Sequence, residues 1–194
     1  MSEDAISYRS AMPDDGDALA QLINFAGEGL PLYLWERMAE PGETAWDVGR
    51  RRARREVGAF SYRNAVVAST EQAVVACLIA YPIPPQPEPI NYHDLPAMFV
   101  PLQELENLAP DTWYVNVLAA FPEYRGQGIG THLLEIAEEA AAAAGHRGLS
   151  IIVSDANTSA LRLYQRCGYR LIDKRPMVKE QWQNPGRDWL LLIK

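Results

Sequence analysis

Apolar residues recur along the chain at two different spacings, and the exchange between these spacings predicts a mixed α/β fold. Alternating or almost continuously apolar segments predict strands at 6–9, 64–69, 73–81, 113–119, 149–153, 169–172 and 189–193. Helical spacing and capping residues predict helices at about 18–26, 32–39, 45–56, 128–144 and 158–167. This order of elements predicts one α/β domain over residues 1–194, built on a mixed sheet.

Two segments stand apart from this alternation. Residues 27–60 are helical and hold a run of arginines at 50–55, together with large side chains such as Tyr33, Trp35, Met38 and Trp46. The large side chains line an acceptor pocket or pack in the core, and the arginines form a solvated face or bind a phosphate. Residues 82–112 hold eight prolines, a density that excludes a central strand and predicts a surface excursion with a short helix near 103–107.

Composition and charge limit the classes of partner. Hydrophobic residues make up 48% and charged residues 22% of the 194 residues, which is ordinary for a globular protein. The formal net charge is −7, so a general nucleic-acid surface is not expected. An anionic ligand is expected only where local dipoles and basic groups overcome the overall field.

Membrane spans, signal peptides and metal sites are not expected either. No stretch approaches the roughly 20 apolar residues of a membrane span, and the acidic start at 1–4 lacks the order of a signal peptide. Cys77 and Cys167 fit neither a zinc pattern nor a disulfide framework. We therefore expect a cytoplasmic protein with two reduced thiols, no metal and no membrane partner.

A glycine-rich turn at 125–131, between a predicted strand and a predicted helix, carries the chemistry. Glycine allows the main chain to curl with several N–H groups on one side and allows a ligand to approach closely. The helix that follows adds its unpaired N–H groups and the positive end of its dipole. The turn therefore predicts a site for a phosphate or pyrophosphate.

The spacing of the glycines separates three kinds of phosphate loop. A Rossmann turn needs a third glycine three residues after the second, and Thr131 and Leu133 stand at those places. A Walker loop ends in Gly-Lys-Ser or Gly-Lys-Thr, and neither tripeptide occurs in this chain. What remains is Arg, two free positions, Gly, one free position and Gly.

This pattern resembles the acetyl-CoA motif of the GNAT superfamily of N-acetyltransferases, in which Gln or Arg opens the turn. The preceding residues 121–124, Phe-Pro-Glu-Tyr, resemble the usual lead-in of that family. A second block at 157–169 resembles the family element that opens with Asn and contains Leu-Tyr and Gly-Phe or Gly-Tyr. The resemblance covers 113–172 well and 6–81 in outline, and it leaves 27–60 and 82–112 unspecified.

The resemblance implies a single domain with a mixed, mostly antiparallel, splayed sheet flanked by helices, and acetyl-CoA as cosubstrate. The main chain of Leu118, Ala119 and Ala120 would pair with the pantetheine. Seven residues would wrap the pyrophosphate with their N–H groups: Arg125, Gly126, Gln127, Gly128, Ile129, Gly130 and Thr131.

The resemblance also implies catalytic roles. The N–H of Leu118 would polarise the thioester carbonyl. Tyr164 would be the general acid that protonates the departing thiolate, although packing in the core is the alternative. Asn157 would contact CoA or the acceptor, or would simply cap the helix that follows.

The general base is left open by the sequence. The strand at 113–118 holds no carboxylate and no His, and Asn116 could orient a water but cannot itself be the base. Glu104, Glu106 and His93 in the proline-rich segment are candidates, and a water is the alternative.

Two functions follow from these features. The first is an N-acyltransferase that moves acetyl from acetyl-CoA to a primary amine of a small molecule or peptide in a ternary complex. The second is a non-catalytic CoA-binding regulatory or interaction module, favoured by the missing strand carboxylate. A homodimer is expected by analogy with the family, whose last strands often join a dimer.

Overall fold

The computed structural model describes residues 5–194, and in this part of the chain a seven-stranded, mostly antiparallel open sheet lies with six α-helices. The strands are β1 (Ser7–Ser10), β2 (Ala65–Ser69), β3 (Val74–Pro82), β4 (Trp113–Ala120), β5 (Leu149–Ser154), β6 (Arg170–Pro176) and β7 (Asp188–Ile193). The helices are α1 (Gly16–Ala26), α2 (Leu30–Met38), α3 (Ala45–Ala53), α4 (Val100–Glu106), α5 (Ile129–Ala143) and α6 (Thr158–Arg166). The strand order is β1-β2-β3-β4-β5-β7-β6, and the predicted mixed α/β fold is confirmed.

The chain divides into two compact units. The first holds the described residues up to Ala80 together with Val117–Leu134, and the second holds Tyr81–Asn116 together with Glu135–Lys194. The single domain expected over residues 1–194 therefore stays a prediction. No helix in residues 5–194 is long and apolar enough to cross a membrane.

In the first unit, an antiparallel meander of β1, β2 and β3 packs with α1, α2 and α3. Ser7 pairs with Ser69 at one end of the β1–β2 ladder. Leu19 and Leu22 of α1, Val48 of α3 and Val67 of β2 are fully buried, as their spacing predicts. The predicted extension of α3 to residue 56 is wrong. The helix ends at Ala53, because the Arg55 N–H donates to the Arg52 carbonyl, three residues back, instead of continuing the four-residue pairing.

In the second unit, β5, β7 and β6 form an antiparallel ladder, and β4 runs parallel to β5. The parallel register joins Trp113–Val115 to residues 149–151 of β5. β6 is longer than predicted, and its register shifts between Leu171 and Asp173, which leaves Leu171 and Ile172 on the exposed surface. Leu105 of α4 is fully buried.

The C-terminal end of α5 shows how local sequence fixes an element. Gly145 has φ +78°, a left-handed conformation that glycine adopts without a Cβ clash. The Gly145 N–H donates to Ala142, and the His146 N–H donates to Ala141. These two bonds form a Schellman motif and confirm the helix stop that the sequence predicts at Gly145.

Candidate active site

The glycine turn links the end of β4 to the start of α5 in the first unit. After β4, a short 3₁₀ turn at Pro122–Tyr124 leads into Arg125. Gly126 and Gly128 have φ +75° and +82°, and a Cβ built on either would meet nothing within 4 Å. Steric crowding therefore does not require glycine at these two positions. Glycine is favoured there by the positive φ and by the access that it gives a ligand to the main chain.

The main-chain donors of this turn have no acceptor among the residues that the structure describes. No carbonyl or side chain in residues 5–194 accepts a hydrogen bond from the N–H groups at 126–131. The first N–H that pairs is that of His132, which donates to the Gly128 carbonyl at 3.1 Å. The turn is exposed at 125–128, so the donors there are available to an anion, and the donors of 129–131 continue the run into the first turn of α5.

Two side chains of the turn form hydrogen bonds to carbonyl groups of the segment that precedes it. The Arg125 guanidinium donates to the Ala120 carbonyl at 3.0 Å, and the Gln127 amide donates to the Glu123 carbonyl at 3.0 Å. Arg125 also lies over the ring of Phe25, with its guanidinium carbon 5.8 Å from the ring centre. The side chains of Arg125 and Gln127 therefore stabilise the conformation of the turn.

The strand residues assigned to pantetheine lie at the end of β4. Leu118, Ala119 and Ala120 are all half-buried there. The next residue, Phe121, donates its N–H to the Val75 carbonyl of β3 at 2.9 Å, which fixes the point where the chain leaves the strand.

Tyr164 lies on α6 in the second unit and is 4% exposed. No residue in 5–194 forms a hydrogen bond with its hydroxyl. Burial, and secondarily the neighbouring Cys167, raises the pKa of Tyr164 above its ordinary value, so the phenol stays protonated at neutral pH. A protonated hydroxyl without a protein partner is suited to donate a proton to a ligand.

A second tyrosine provides an internal comparison. The ring of Tyr169 lies 5.7 Å from that of Tyr164, and its buried hydroxyl also has no hydrogen-bond partner in the described part of the chain. Burial is the first cause of its raised pKa, and the charge of Tyr164 adds to it. Sequence reasoning assigned no function to Tyr169 beyond its place in the motif.

Asn157 caps α6, as one of its two interpretations predicts. Its side-chain oxygen accepts the N–H of Ala160 at 3.2 Å. The contact to CoA stays a prediction.

The three candidates for the general base differ in ion pairing and in burial. Glu104 forms an ion pair with Arg175 at 3.0 Å and also meets the Tyr92 hydroxyl at 3.5 Å. His93 lies on the exposed surface. Glu106 is half-buried at the end of α4, and burial, followed by the charge of Glu88, raises its pKa to about 7.

A polar group that the sequence did not reveal lies on β3 and β4. The Asn116 side chain donates to the Tyr81 hydroxyl at 2.7 Å, and the rings of Tyr81 and Tyr114 meet edge to face at 5.7 Å. The charge of Glu106 raises the pKa of both tyrosines, after burial as the first cause. Tyr81 is the last aromatic residue before the prolines, and this position gave no chemical signal.

The aromatic side chains of 27–60 have mixed placements. Trp35 is 4% exposed and packs edge to face on Trp46, so it belongs to the core of the first unit. Met38 is 45% exposed. The arginine run is paired in part: Arg50 binds Asp47 and Arg51 binds Glu43.

No cluster of three His, Cys, Asp or Glu side chains that could hold a metal ion occurs in residues 5–194.

The model of the Acetyltransferase (GNAT) family matches residues 31–169, more than half of the chain and both of its motif blocks. The chain belongs to the GNAT acetyltransferase family. This membership supports acyl transfer as its general chemistry and confirms the resemblance seen in the two motifs.

Individual relatives are more distant. A stretch of 68 residues is 32% identical to part of Probable N-acetyltransferase 14 of Xenopus tropicalis, covering 35% of this chain and 28% of that protein. An N-acetyltransferase from Staphylococcus aureus Mu50 is 22% identical, with a TM-score of 0.65 over 97% of this chain and 100% of that one. A mosquito arylalkylamine N-acetyltransferase like 5b is 18% identical, with a TM-score of 0.67 over 98% and 99%. The two solved structures show a shared fold.

Proposed function

We propose that this GNAT protein is an acetyl-CoA-dependent N-acetyltransferase that acetylates a primary amine of a small molecule or peptide. The amine attacks acetyl-CoA directly in a ternary complex, with no metal and no covalent enzyme intermediate. The observation that carries the proposal is the run of main-chain N–H groups without acceptors at 126–131. Such a run at a helix start suits a pyrophosphate, because each donor is fixed and the helix dipole favours negative charge.

The residues present fit the cosubstrate. The N–H groups of Arg125–Thr131 would hold the pyrophosphate, and the main chain of Leu118–Ala120 would hold the pantetheine. When bound, acetyl-CoA supplies a thioester whose carbonyl carbon accepts the amine. The N–H of Leu118 would donate to the carbonyl oxygen and stabilise the negative charge that develops on it.

Tyr164 is proposed as the general acid. The CoA thiol has an ordinary pKa of about 8.5, like that of cysteine, so its thiolate needs a proton near neutral pH. A buried phenol with a raised pKa carries that proton, and the absence of a hydrogen-bond partner within residues 5–194 supports this role. Asn157 is proposed to place α6 through its cap and to contact the cosubstrate through its remaining groups.

The other assignments stay proposals from the sequence and the family. Residues 1–194 act as one catalytic domain, with 27–60 on the acceptor side and 82–112 as an excursion. A cytoplasmic location, a homodimer and the lack of a nucleic-acid partner remain predictions. The alternative is a CoA-binding module without chemistry, since β4 carries no carboxylate before the turn.

Two measurements on the wild-type protein separate these functions. Calorimetry with CoA reports binding, and thiol release from acetyl-CoA across small amines, polyamines and peptide N-termini reports turnover. We expect heat with CoA and turnover with at least one amine. Heat without turnover on any amine would favour the module, and no heat at all would overturn both functions.

A further inference from the structure

We propose that Glu106 is the general base of the reaction, removing a proton from the acceptor ammonium directly or through one water. The inference rests on the proposed acetyltransferase function and identifies the general base, for which β4 offers no carboxylate or His. It assigns chemistry to α4, which lies in the proline-rich segment that the family resemblance leaves unspecified.

Ion pairing distinguishes Glu106 from the other carboxylates of its helix. Glu104, two residues earlier, is held by Arg175 of β6, which also binds Asp173 at 2.9 Å. The charge of Glu104 is therefore engaged by a cation. No described residue donates a hydrogen bond to the Glu106 carboxylate, and no cation in residues 5–194 pairs with it. A carboxylate without partners can accept a proton from a substrate.

The main chain holds a like charge beside Glu106. Asn107, the next residue, accepts the Glu88 N–H at 3.0 Å and donates to the Glu88 carbonyl at 2.8 Å. This two-bond clamp ties residue 88 of the excursion to the end of α4. Glu88 consequently lies close enough to oppose the charge of Glu106, and this repulsion adds to the effect of burial.

No cation on the described elements packed on α4 forms an ion pair with Glu106. On β6, Arg175 is engaged by Glu104 and Asp173, and Lys174 pairs with Asp188 of β7. Arg170, the first residue of β6, is exposed and forms no ion pair with Glu106. β5 carries no charged residue. From β3 and β4 the titratable neighbours are Tyr81 and Tyr114, both protonated at neutral pH because burial raises their pKa. Glu106 therefore titrates near neutral pH, where a general base is most effective.

Tyr81 is near enough to Glu106 for the charge of this carboxylate to raise its pKa, and it is hydrogen-bonded to β4. Its hydroxyl accepts a hydrogen bond from Asn116, which stands two residues before Leu118 on β4. The Tyr81 proton stays available, so the phenol can orient a water or the acceptor amine. Tyr81 is thus a positioning residue.

The proton step is balanced without another reactant. One N–H bond of the ammonium breaks, its electron pair stays on nitrogen, and an O–H bond forms on Glu106. The neutral amine then attacks the thioester carbonyl carbon through that electron pair, and a C–N bond forms. When the C–S bond breaks, the sulfur takes a proton from Tyr164. The nitrogen loses its second proton, which restores the phenol. Glu106 loses the proton to solvent before the next turnover.

Glu106→Gln tests the proposal, with Glu104→Gln as the matched control on the same helix. We expect kcat/KM to fall ~100-fold or more at pH 7 for Glu106→Gln, the size of a lost general base. The deficit should shrink as pH approaches the pKa of the amine, because free amine then needs no base. The kcat/KM of the wild type should fall as pH decreases through about 7, and this fall at acidic pH should be absent in Glu106→Gln. Glu104→Gln should keep the wild-type pH profile.

A second measurement follows the protonation of the Glu106 carboxyl group and does not depend on turnover. In protein labelled with ¹³C at the glutamate carboxyl groups, NMR titration should show one carboxyl with a midpoint near 7, and Glu106→Gln should remove that signal. Glu88→Gln should move the same midpoint to lower pH, because the opposing charge is gone, and should move the activity limb with it.

The outcomes distinguish two failures. An active wild type with an unchanged pH profile in Glu106→Gln would overturn the base and leave the acetyltransferase standing. Titration of Glu106 together with ordinary carboxyls would do the same. A wild type that binds CoA but acetylates no amine would instead overturn the acetyltransferase on which the base depends.

Discussion

The glycine turn at 125–131 and the group of Glu106, Tyr81 and Tyr114, here called the Glu106 group, were each proposed above to serve catalysis, and they differ in the physical basis of that role. The turn is exposed and uses main-chain donors that are available because Gly126 and Gly128 are left-handed. The Glu106 group is half-buried and uses side chains whose pKa values are shifted by burial and neighbouring charge. One site depends on backbone conformation and the other on desolvation.

This difference determines which substitutions are informative. In the turn, a change of side chain acts through φ and through access to the N–H groups. Around Glu106 and Tyr164, removing a single atom or charge leaves the shape nearly intact and changes proton transfer and desolvation. Each region therefore allows an isosteric or near-isosteric test with a matched control from elsewhere in the chain.

The largest effect is expected for Tyr164→Phe. Loss of the proton donor should lower kcat by ~10–1,000-fold, as expected for a general acid. Thiol release under saturating acetyl-CoA measures it. The melting temperature should change little, because the hydroxyl has no hydrogen-bond partner to lose in residues 5–194.

Tyr169→Phe is the control for that change. It removes the same atom from a ring 5.7 Å away, also without a hydrogen-bond partner in residues 5–194. Its kcat should stay within about 3-fold of wild type, below the range for loss of an acid. Equal losses in both variants would withdraw the acid role from Tyr164.

The next effect is a pH-dependent gain in stability for Glu106→Gln. The pKa of Glu106 rises from 4.5 to about 7 on folding, so the folded state binds the proton more tightly than the unfolded state. The free energy of unfolding of wild type should therefore fall as pH rises between these values. At pH 8 the variant should be about 2–3 kcal/mol more stable than wild type, with a smaller difference at pH 4.

Urea unfolding at the two pH values measures this difference. Glu104→Gln should not increase the free energy of unfolding at pH 8. This substitution removes the ion pair with Arg175, and it relieves no comparable desolvation penalty. A pH-independent difference in Glu106→Gln would show that Glu106 is not desolvated.

Gly128→Ala should weaken CoA binding by ~10–100-fold, the equivalent of one or two lost charge-assisted hydrogen bonds. The methyl group fits sterically, but it disfavours φ +82° and covers main-chain donors. Gly145→Ala carries a similar backbone penalty at φ +78°, also with nothing within 4 Å, and should leave the dissociation constant unchanged. Calorimetry with CoA compares the two, and equal affinities would count against the turn.

The smallest effect is expected for the stability of Tyr169→Phe. The buried hydroxyl has no partner in residues 5–194, so its removal relieves a desolvation penalty. Thermal unfolding should show a gain of about 1 kcal/mol or less. A loss of stability would indicate that the hydroxyl is bonded in solution.

The local sequence was sufficient to predict those turns, caps and strands whose conformation depends on their own residues. Glycine permits the positive φ found at Gly126, Gly128 and Gly145, and Asn157 caps α6 as one interpretation of its position predicts. The alternation of apolar residues predicted all seven strands, with ends displaced by a few residues at β6. The motif around Tyr164 placed this tyrosine on a helix, and its packing in the core was the alternative to the acid role.

Burial and pairing could not be predicted in the same way, because they depend on residues distant in the chain. Glu104 and Glu106 are equivalent by sequence, yet Arg175, 71 residues after Glu104, pairs with one and leaves the other without a cation. Asn107 holds Glu88 from 19 residues away. Tyr81 gained its partner only when β3 and β4 brought it to Asn116.

The sequence by itself thus determined the helix and strand pattern, the glycine turn and the family, since these are set by local conformation and short motifs. The tertiary structure alone decided which carboxylate is desolvated, which tyrosine hydroxyls lack partners and which aromatic side chains are buried. The physical reason is that solvation and charge pairing are properties of a packed environment, and the packing is formed by segments that the sequence places far apart.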